Sequence, residues 1–175
     1  MKAELFEIKD TQGRANNLAC RKLYTVGYGN EEEADFLGRL EQAGINFILD
    51  VRRKDAHSWN PKYRPGYSAG MHELLRTAKI SYWPLLFFNP YFDLGNRFDK
   101  LSDYRDWISN GPKPQRFLEN IAMFLAGNSG IIPCLLCAER SHEHCHRTIV
   151  AEVLVRMMNA LAYTEHVRKW ELEHI

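Results

Sequence analysis

The sequence IIPCLLCAERSHEHCHR, residues 131–147, contains the clearest structural pattern in this chain. Its apolar beginning is typical of a β-strand that is buried on both faces. Because Pro133 has no N–H to donate to a strand ladder, we expect the strand to begin at or just after this residue. A polar turn at Cys137-Ala138-Glu139 then ends the strand.

The loop after this strand is rich in side chains that can do chemistry, namely Glu139, Arg140, His142, Glu143, His144, Cys145, His146 and Arg147. An amphipathic helix pattern follows directly, with apolar residues at three- and four-residue steps: Ile149, Val150, Val153, Leu154, Met157 and Leu161. Open α/β sheets place their ligand sites where a buried strand leads into a helix. We therefore expect the functional site at this loop.

The rest of the chain alternates between strand and helix patterns. Strand patterns occupy 23–26, 46–51 and 81–87, and helix patterns follow Asn30 and cover 71–78 and 117–125. Asn30 with Glu33 resembles a capping box at the start of the first helix. The tail, residues 162–175, suits either a last strand or a short helix. The alternation predicts a single-domain α/β fold, with an open, mainly parallel sheet and helices on both faces, as in a Rossmann-like three-layer sandwich.

Two segments fall outside this alternation. Residues 1–22 are mostly polar and charged, so we expect an N-terminal extension to a domain of residues 23–175. Residues 88–113 mix proline, glycine, aromatic and charged residues, which predicts a long irregular insertion.

The composition limits the class of protein. At 175 residues, with 45% apolar and 26% charged residues, the chain suits one globular domain whose core needs no disulfide or metal. A net charge of +1 makes any nucleic-acid surface a local patch. Four cysteines are too few for a disulfide scaffold, and no apolar run has bilayer length. We therefore expect a cytoplasmic protein with reduced thiols and no membrane contact.

Parallel strands bring their carboxyl ends, and the loops that follow them, to one edge of the sheet. The candidate catalytic residues at this edge are Cys137, Glu139, Cys145, His146 and Asp50. The candidate ligand-binding residues are Gly27, Tyr28, Asn30, Arg52 and Arg147. Arginines, carboxylates, thiols and a histidine together suit an anionic ligand better than an apolar one.

Several of these residues also have a structural interpretation. Gly27 and Gly29 suit a tight turn, and Asp50 is placed to pair with Arg52 or Arg147. Because the helix dipole disfavours a cation near a helix N-terminus, we expect Arg147 to face a carboxylate or a bound anion.

The thiols have three interpretations. Cys134 lies within the apolar strand and is expected in the core. Cys137 and Cys145 form a nucleophilic or redox pair, contribute to a metal site, or are structural thiols beside a hydrogen-bonding histidine. The metal interpretation uses Cys137, His142, His144, Cys145 and His146. It is the weakest, since Cys134 and Cys137 point to opposite faces of a strand and no second Cys/His pair lies at ligand spacing. The sequence thus favours no metal site and leaves the question of a cofactor open.

Four motifs lie along residues 23–175: Tyr24-Thr25-Val26-Gly27-Tyr28-Gly29-Asn30, Asp50-Val51-Arg52, Leu94-Gly95-Asn96, and Cys137-Ala138-Glu139 with Cys145-His146-Arg147. Together they resemble the DUF488 family of small bacterial and archaeal proteins, and the last motif is the most specific. That family usually has histidine and serine in place of Tyr28 and Gly29, so activity is expected to differ here if the histidine takes part in chemistry. The resemblance implies a fold and a site, and no particular reaction.

Two hypotheses for function follow. The first is a small enzyme that binds an anionic or nucleotide-type ligand at the sheet edge and uses a Cys/Glu/Arg site. The second is a module that binds nucleic acid or a protein partner through the basic and aromatic segment 52–64 and the insertion 88–113. Segment 52–64 is equally compatible with a solvated rim, and the sequence leaves the oligomeric state open.

Overall fold

The computed structural model describes residues 20–52, 60–66, 70–85, 98, 100–165 and 169–175. Its centre is a sheet of five strands: β1 Arg21–Gly27, β2 Phe47–Asp50, β3 Ser81–Pro84, β4 Pro133–Cys137 and β5 Trp170–His174. The strand order is β3-β2-β4-β1-β5, and every neighbouring pair is parallel. β4, the strand within residues 131–147, is thus the central strand of the sheet, and all five of its residues are buried.

The helices are α1 Glu33–Gln42, α2 Gly70–Thr77, α3 Leu101–Asn110, α4 Pro112–Gly127 and α5 His146–Glu165, with a short 3₁₀ turn at Pro61–Tyr63. They cover both faces of the sheet, which confirms the predicted three-layer α/β fold. No helix within the described ranges is both long enough and apolar enough to cross a membrane.

Two hydrophobic cores lie on opposite faces of the sheet because successive strand residues alternate between the faces. Cys134 and Leu136 of β4 belong to the core formed with α1 and α2, whereas Leu135 and Cys137 belong to the core formed with α3, α4 and α5. Cys134 is fully buried, as expected of a core thiol. Cys137 is on the other face, and this places its thiol beside the start of α5.

The topology creates a crevice at the carboxyl ends of β1 and β4. These strands are neighbours, with Gly27 opposite Cys137. The chain leaves β1 toward α1 on one face and leaves β4 toward α5 on the other face. Adjacent strands whose connections diverge in this way leave an open crevice, the usual ligand position of open α/β sheets.

Several details differ from the sequence prediction. β1 begins at Arg21, within the segment assigned to the N-terminal extension, whose residues 1–19 lie outside the described part. α1 begins at Glu33 itself, so the predicted capping box with Asn30 was wrong. The tail contains strand β5.

The prediction of irregular structure over 88–113 was wrong for its second half. Residues Leu101–Asn110 form α3, and α4 begins at Pro112. Of the first half, the structure describes only residues 98 and 100, so the prediction for 88–97 is not tested. β3 ends at Pro84, and Pro84 is tolerated because β3 is an edge strand of the sheet.

Candidate functional site

The loop after β4 lies directly against the loop after β1. A Cβ atom on Gly27 would lie 1.7 Å from the carbonyl oxygen of Glu139, so a residue with a side chain does not fit there. Gly29 has a φ of 54° and donates its N–H to the carbonyl of Ala138 at 2.9 Å. The structural interpretation of the two glycines therefore agrees with the geometry, while a ligand contact for Gly27 stays a prediction.

Arg147 binds the backbone of the same loop through its guanidinium. Its guanidinium is 1% exposed and donates to the carbonyl oxygens of Glu139 and of Arg140, the latter at 3.0 Å. Among the described residues, Arg147 Nε has no hydrogen-bond acceptor. The partners that the sequence led us to expect, a carboxylate or an anion, are thus replaced by backbone carbonyls. Direct contact of Arg147 with a ligand stays a prediction.

Four side chains with donor atoms converge where β4 ends and α5 begins. They are Cys137, Glu139, Cys145 and His146, and their donor atoms all lie within 4.8 Å of one another. We call this group the thiol cluster. Cys137 Sγ lies 2.5 Å and Cys145 Sγ 3.3 Å from the same oxygen, Oε2 of Glu139. The two thiols and the imidazole are buried, and Glu139 is exposed.

His146 is fixed by a bond to the backbone. Its Nε2 lies 3.0 Å from the carbonyl oxygen of Val51 at the end of β2. Because a carbonyl only accepts, Nε2 carries a proton, so Nδ1 is the nitrogen that bears the lone pair when the ring is neutral. The ring nitrogens lie 3.9 Å and 4.0 Å from Cys137 Sγ. The imidazole also packs edge-on against Tyr104, with ring centroids 6.0 Å apart.

The groups of the thiol cluster shift one another's pKa values. Burial acts to raise the pKa of Glu139, but hydrogen bonds from Cys137, from its own backbone and from Cys145 outweigh it and lower the pKa below the ordinary value. Burial acts to lower the pKa of His146, but its contact with Cys145 and its bond to Val51 raise it. The pKa of Cys145 is raised by the hydrogen bond with Cys137 and by burial. Glu139 is therefore an anion at neutral pH.

Asp50 and Arg52 form a separate buried pair at the end of β2. Arg52 donates Nε to Oδ1 at 2.8 Å and Nη2 to Oδ2 at 2.6 Å, and both side chains are at most 2% exposed. Arg52 Nη1 also donates to the Tyr28 hydroxyl and the Tyr63 carbonyl, and the Tyr82 hydroxyl donates to Asp50. This geometry agrees with the internal pairing that the sequence allowed. Roles for Asp50 in catalysis and for Arg52 in ligand binding stay predictions.

A cleft of about 480 Å³ lies beside the thiol cluster. It is lined by Tyr28, Gly29, Asn30, Glu31, Glu32, Asn60, Tyr63, Ala138, Glu139 and Arg140. The structure thus brings Tyr28, Asn30 and Glu139 to one surface, as the sequence predicted. A second pocket of about 150 Å³ reaches Cys145 from the side of α3. The cluster is therefore approached from two directions, through Glu139 and through Cys145.

The catalytic and ligand-binding residues predicted from the sequence did not include Asn60, Tyr63 or Arg140, which also line the cleft. Asn60 accepts a bond from the N–H of Lys62 at 2.9 Å and so begins the 3₁₀ turn that places Tyr63 in the wall of the cleft. The Asn-Pro dipeptide at Asn60 is a turn signal that could have identified this segment. Tyr63 stacks on Tyr28 at 4.4 Å between ring centroids, a contact that residue spacing does not show.

Other predicted groups lie away from the cluster. His142, a candidate metal ligand, stacks face to face on His174 at 3.7 Å. His144 is exposed and is not part of the cluster. Within segment 52–64, residues 53–59 lie outside the described residues, Tyr63 is buried, and Lys62 pairs with Glu33 at 2.7 Å.

Comparison with known proteins identifies the family and gives no individual relative. No curated protein and no solved structure matches the chain. The family model for DUF488, a domain of unknown function, matches residues 33–154. That range contains β2, β3, β4 and the whole thiol cluster, and it covers more than half of the chain. The chain belongs to the DUF488 family.

Proposed function

We propose that the protein is an enzyme that converts a nucleotide-type small molecule in the cleft, with the thiol cluster as its reacting centre. The observation that carries this proposal is the convergence of two thiols, a carboxylate and an imidazole beside a cleft at the topological crevice of the sheet. Burial of polar groups costs free energy unless they are hydrogen-bonded. Buried titratable groups therefore concentrate at functional sites.

The lining of the cleft supports a ligand with both anionic and hydrogen-bond-donating groups. Among the described residues that line it, Arg140 is the cation and is exposed. Glu32 and Glu139 are exposed carboxylates, whereas Glu31 is paired with Arg39. A nucleotide matches this set, since its phosphate suits the guanidinium and its hydroxyl and amino groups suit the carboxylates. The volume of about 480 Å³ falls within the usual range for small-molecule sites.

The cluster offers the roles that such an enzyme needs. Glu139 reaches both the cleft and the two thiols, so it is the group that connects a bound ligand to the buried part of the centre. In the neutral ring, His146 Nδ1 is a proton acceptor, and the bond from Nε2 to Val51 holds it in one orientation. The thiols provide a nucleophile or, as argued below, metal ligands.

The alternative of a nucleic-acid module has less support. Of the basic and aromatic segment 52–64, the described members Arg52 and Tyr63 are buried, and Lys62 is paired with Glu33. Groups that are already engaged inside the protein are poor contacts for a phosphate backbone. Arg64 is described and exposed, so it remains available to such a partner, and residues 53–59 lie outside the described residues.

A titration with nucleoside monophosphates, followed by NMR of the backbone amides, tests the ligand class. We expect saturable shifts at Gly29, Asn30 and Arg140, and conversion of at least one nucleotide detected by mass spectrometry of the mixture. Glu139→Gln should retain the shifts and lose conversion. The matched control is Glu119→Gln, the same change at an exposed position of α4.

Two results would contradict the proposal. One is the lack of saturable shifts at the cleft with nucleotides, sugar phosphates and dicarboxylic acids alike. The other is conversion that is equal in Glu139→Gln and the unmodified protein. Shifts produced only by a single-stranded oligonucleotide would favour the binding-module hypothesis instead.

A further inference from the structure

We propose that Cys137, Cys145 and His146 bind a zinc ion, with Glu139 as a fourth ligand that exchanges with water or substrate. The use of this ion in catalysis rests on the proposed function, whereas its binding does not. The sequence argued against a metal on the basis of Cys/His spacing, and that argument did not include Glu139. The structure joins one donor from the strand end, one from the loop and two from the start of α5.

The chemical character of the donors selects the metal. Thiolates and imidazole are preferred by zinc and other soft or borderline ions, whereas magnesium and calcium prefer oxygen ligands throughout. Two sulfurs, one nitrogen and one oxygen form a set suited to tetrahedral zinc.

The spacing of the donors is close to what such a site needs. In tetrahedral zinc with ligand bonds of about 2.0–2.3 Å, donor atoms are about 3.3–3.8 Å apart. Cys145 Sγ lies 3.3 Å from Glu139 Oε2, and Cys137 Sγ lies 4.0 Å from His146 Nδ1. The contact of 2.5 Å between Cys137 and Glu139 would widen as the carboxylate moved onto the ion. Glu139 is exposed, so its side chain has the room to do this.

Contacts with neighbouring residues already hold the proposed ligands in position. The bond from His146 Nε2 to the Val51 carbonyl is the outer contact that metal-bound imidazoles commonly make, and it leaves Nδ1 as the metal ligand. The backbone of Glu139 is held by Arg147 and packs against Gly27. The donors are therefore positioned by the fold, so little ordering remains for a metal to impose.

The contrast in exposure assigns different roles to the ligands. Cys137, Cys145 and His146 are at most 7% exposed, and Glu139 is exposed at the cleft. Catalytic zinc sites keep three protein ligands and one position open to water or substrate. Glu139 occupies the position that faces the cleft, so its displacement would expose the ion to a bound ligand.

Zinc binding by this set has a defined proton balance. Each of the two thiols loses a proton when its sulfur binds the ion, and His146 binds as the neutral ring. The reaction consumes one zinc ion and two thiols and releases two protons, with a third from any His146 that was protonated beforehand. No oxidant or reductant takes part.

Cobalt(II) is the probe for the first test, because its tetrahedral thiolate complexes absorb strongly where zinc complexes do not. The full-length protein is reduced, treated with a chelator and titrated with cobalt(II). We expect one equivalent to produce a thiolate-to-cobalt charge-transfer band that zinc then removes. Titration with zinc in a weakly buffered solution should release about two to three protons per ion, two from the thiols and the remainder from protonated His146.

Substitutions locate the site. Cys145→Ser should weaken cobalt binding at least 100-fold and reduce the charge-transfer band, whereas Cys20→Ser, a cysteine outside the cluster, should change neither. Glu139→Gln should keep the thiolate band and weaken binding about 10-fold. Because Glu139 is exposed, this variant remains informative if Cys145→Ser does not fold, as judged by circular dichroism.

Two outcomes would overturn the inference, and a third would remove only its catalytic part. A folded, reduced protein that shows no charge-transfer band with cobalt has no such site. A band that persists unchanged in Cys145→Ser comes from adventitious binding elsewhere. Full conversion of a nucleotide by metal-free protein would remove the catalytic part of the inference and leave the proposed enzyme intact. Conversely, a normal cobalt spectrum without any nucleotide conversion would contradict the proposed function alone.

Discussion

Gly27 is the residue at which β1 approaches the loop of the thiol cluster most closely. The atom that a Cβ would meet is the Glu139 carbonyl oxygen, which belongs to backbone held by Arg147 and cannot rotate away. We expect Gly27→Ala to lower the free energy of unfolding by about 1–3 kcal/mol or more, because the backbone must shift to relieve the overlap. Urea denaturation measures this change.

Gly38→Ala is the matched control for this substitution. Gly38 lies within α1, and nothing lies within 4 Å of a Cβ built there. Alanine is a better helix former than glycine by about 0.5–1 kcal/mol, so this variant should be more stable than the unmodified protein. Equal midpoints for the two alanine variants would show that the Gly27 contact does not constrain the loop.

The Asp50–Arg52 pair should contribute to stability because both of its charges are buried. Asp50→Asn leaves the Arg52 guanidinium buried without its counterion, and removal of one partner from such a pair costs about 3–5 kcal/mol. Tyr82→Phe removes the bond from the Tyr82 hydroxyl to Asp50 and the bond it accepts from Gly66, and should cost about 1–3 kcal/mol. Chemical denaturation of both variants measures the two steps.

The control for Asp50→Asn is Asp106→Asn at an exposed position of α3, which should change stability by about 0.5 kcal/mol or less. If Asp50→Asn were as stable as this control, the pair would have no structural role. The catalytic role that the sequence allowed for Asp50 would then explain its burial.

At the scale of elements, Arg21 connects three parts of the fold. Its guanidinium donates to the carbonyls of Leu125, Ala126 and Asn128 at the end of α4, at 2.7–2.9 Å. It also lies 4.1 Å above the Trp170 ring of β5. Such a cation satisfies carbonyls that the last turn of a helix leaves unpaired. β5 is the edge strand beside β1, so its attachment depends on contacts of this kind.

We expect Arg21→Met to cost about 1–3 kcal/mol and to raise hydrogen exchange in β5 before it does so in β2 and β3. Asn159 also holds Trp170, through bonds of 2.7 Å and 3.0 Å, so β5 should loosen rather than detach. Arg105→Met, at an exposed ion pair with Glu152, should leave exchange in β5 unchanged. Uniform acceleration across all strands would indicate global destabilisation and contradict a local role.

The elements that the sequence predicted correctly are those whose pattern is local. β4 follows from its continuous apolar run and α5 from apolar residues at helical spacing, and the parallel sheet follows from the alternation of strands and helices. α3 was missed because Gly111 and Pro112 suggested a break in structure. Pro112 instead occupies the first turn of α4, where the missing N–H costs nothing.

The site was predictable only as far as topology determines it. The meeting of Cys137 and Glu139 with Tyr28 and Asn30 follows from parallel strands. The carbonyl partners of Arg147 could not be predicted, because every residue has a carbonyl and none is marked in the sequence. The same holds for the bond from His146 to the backbone of Val51, 95 positions away in the chain.

At the scale of the whole molecule, buried phenols on both faces of the sheet should limit stability at alkaline pH. Burial raises the pKa of Tyr63 to about 12, and it raises the pKa of Tyr82 and of Tyr104 further. Tyr63 and Tyr82 belong to one core and Tyr104 to the other. Ionisation of these groups therefore opposes both layers of the fold at once.

The direction of the effect follows from the raised pKa values. A phenol in the unfolded chain loses its proton near pH 10, whereas the folded protein retains it to higher pH. Above about pH 10 the unfolded state binds fewer protons than the folded state. The contribution of these tyrosines to the free energy of unfolding is therefore complete below about pH 10 and is lost as the pH rises toward 12. Each such tyrosine contributes a slope of up to about 1.4 kcal/mol per pH unit.

Urea denaturation at several alkaline pH values checks this expectation, with Tyr63→Phe as the comparison. Phenylalanine loses the bond from the hydroxyl to the Glu31 carbonyl, which should cost about 0.5–1.5 kcal/mol at neutral pH. It also removes one ionising group, so the variant should lose stability less steeply above about pH 10, and the difference between the two proteins should shrink. If the curves stayed parallel up to pH 12, the Tyr63 phenol would titrate alike in the folded and unfolded states, and burial would not be protecting its proton.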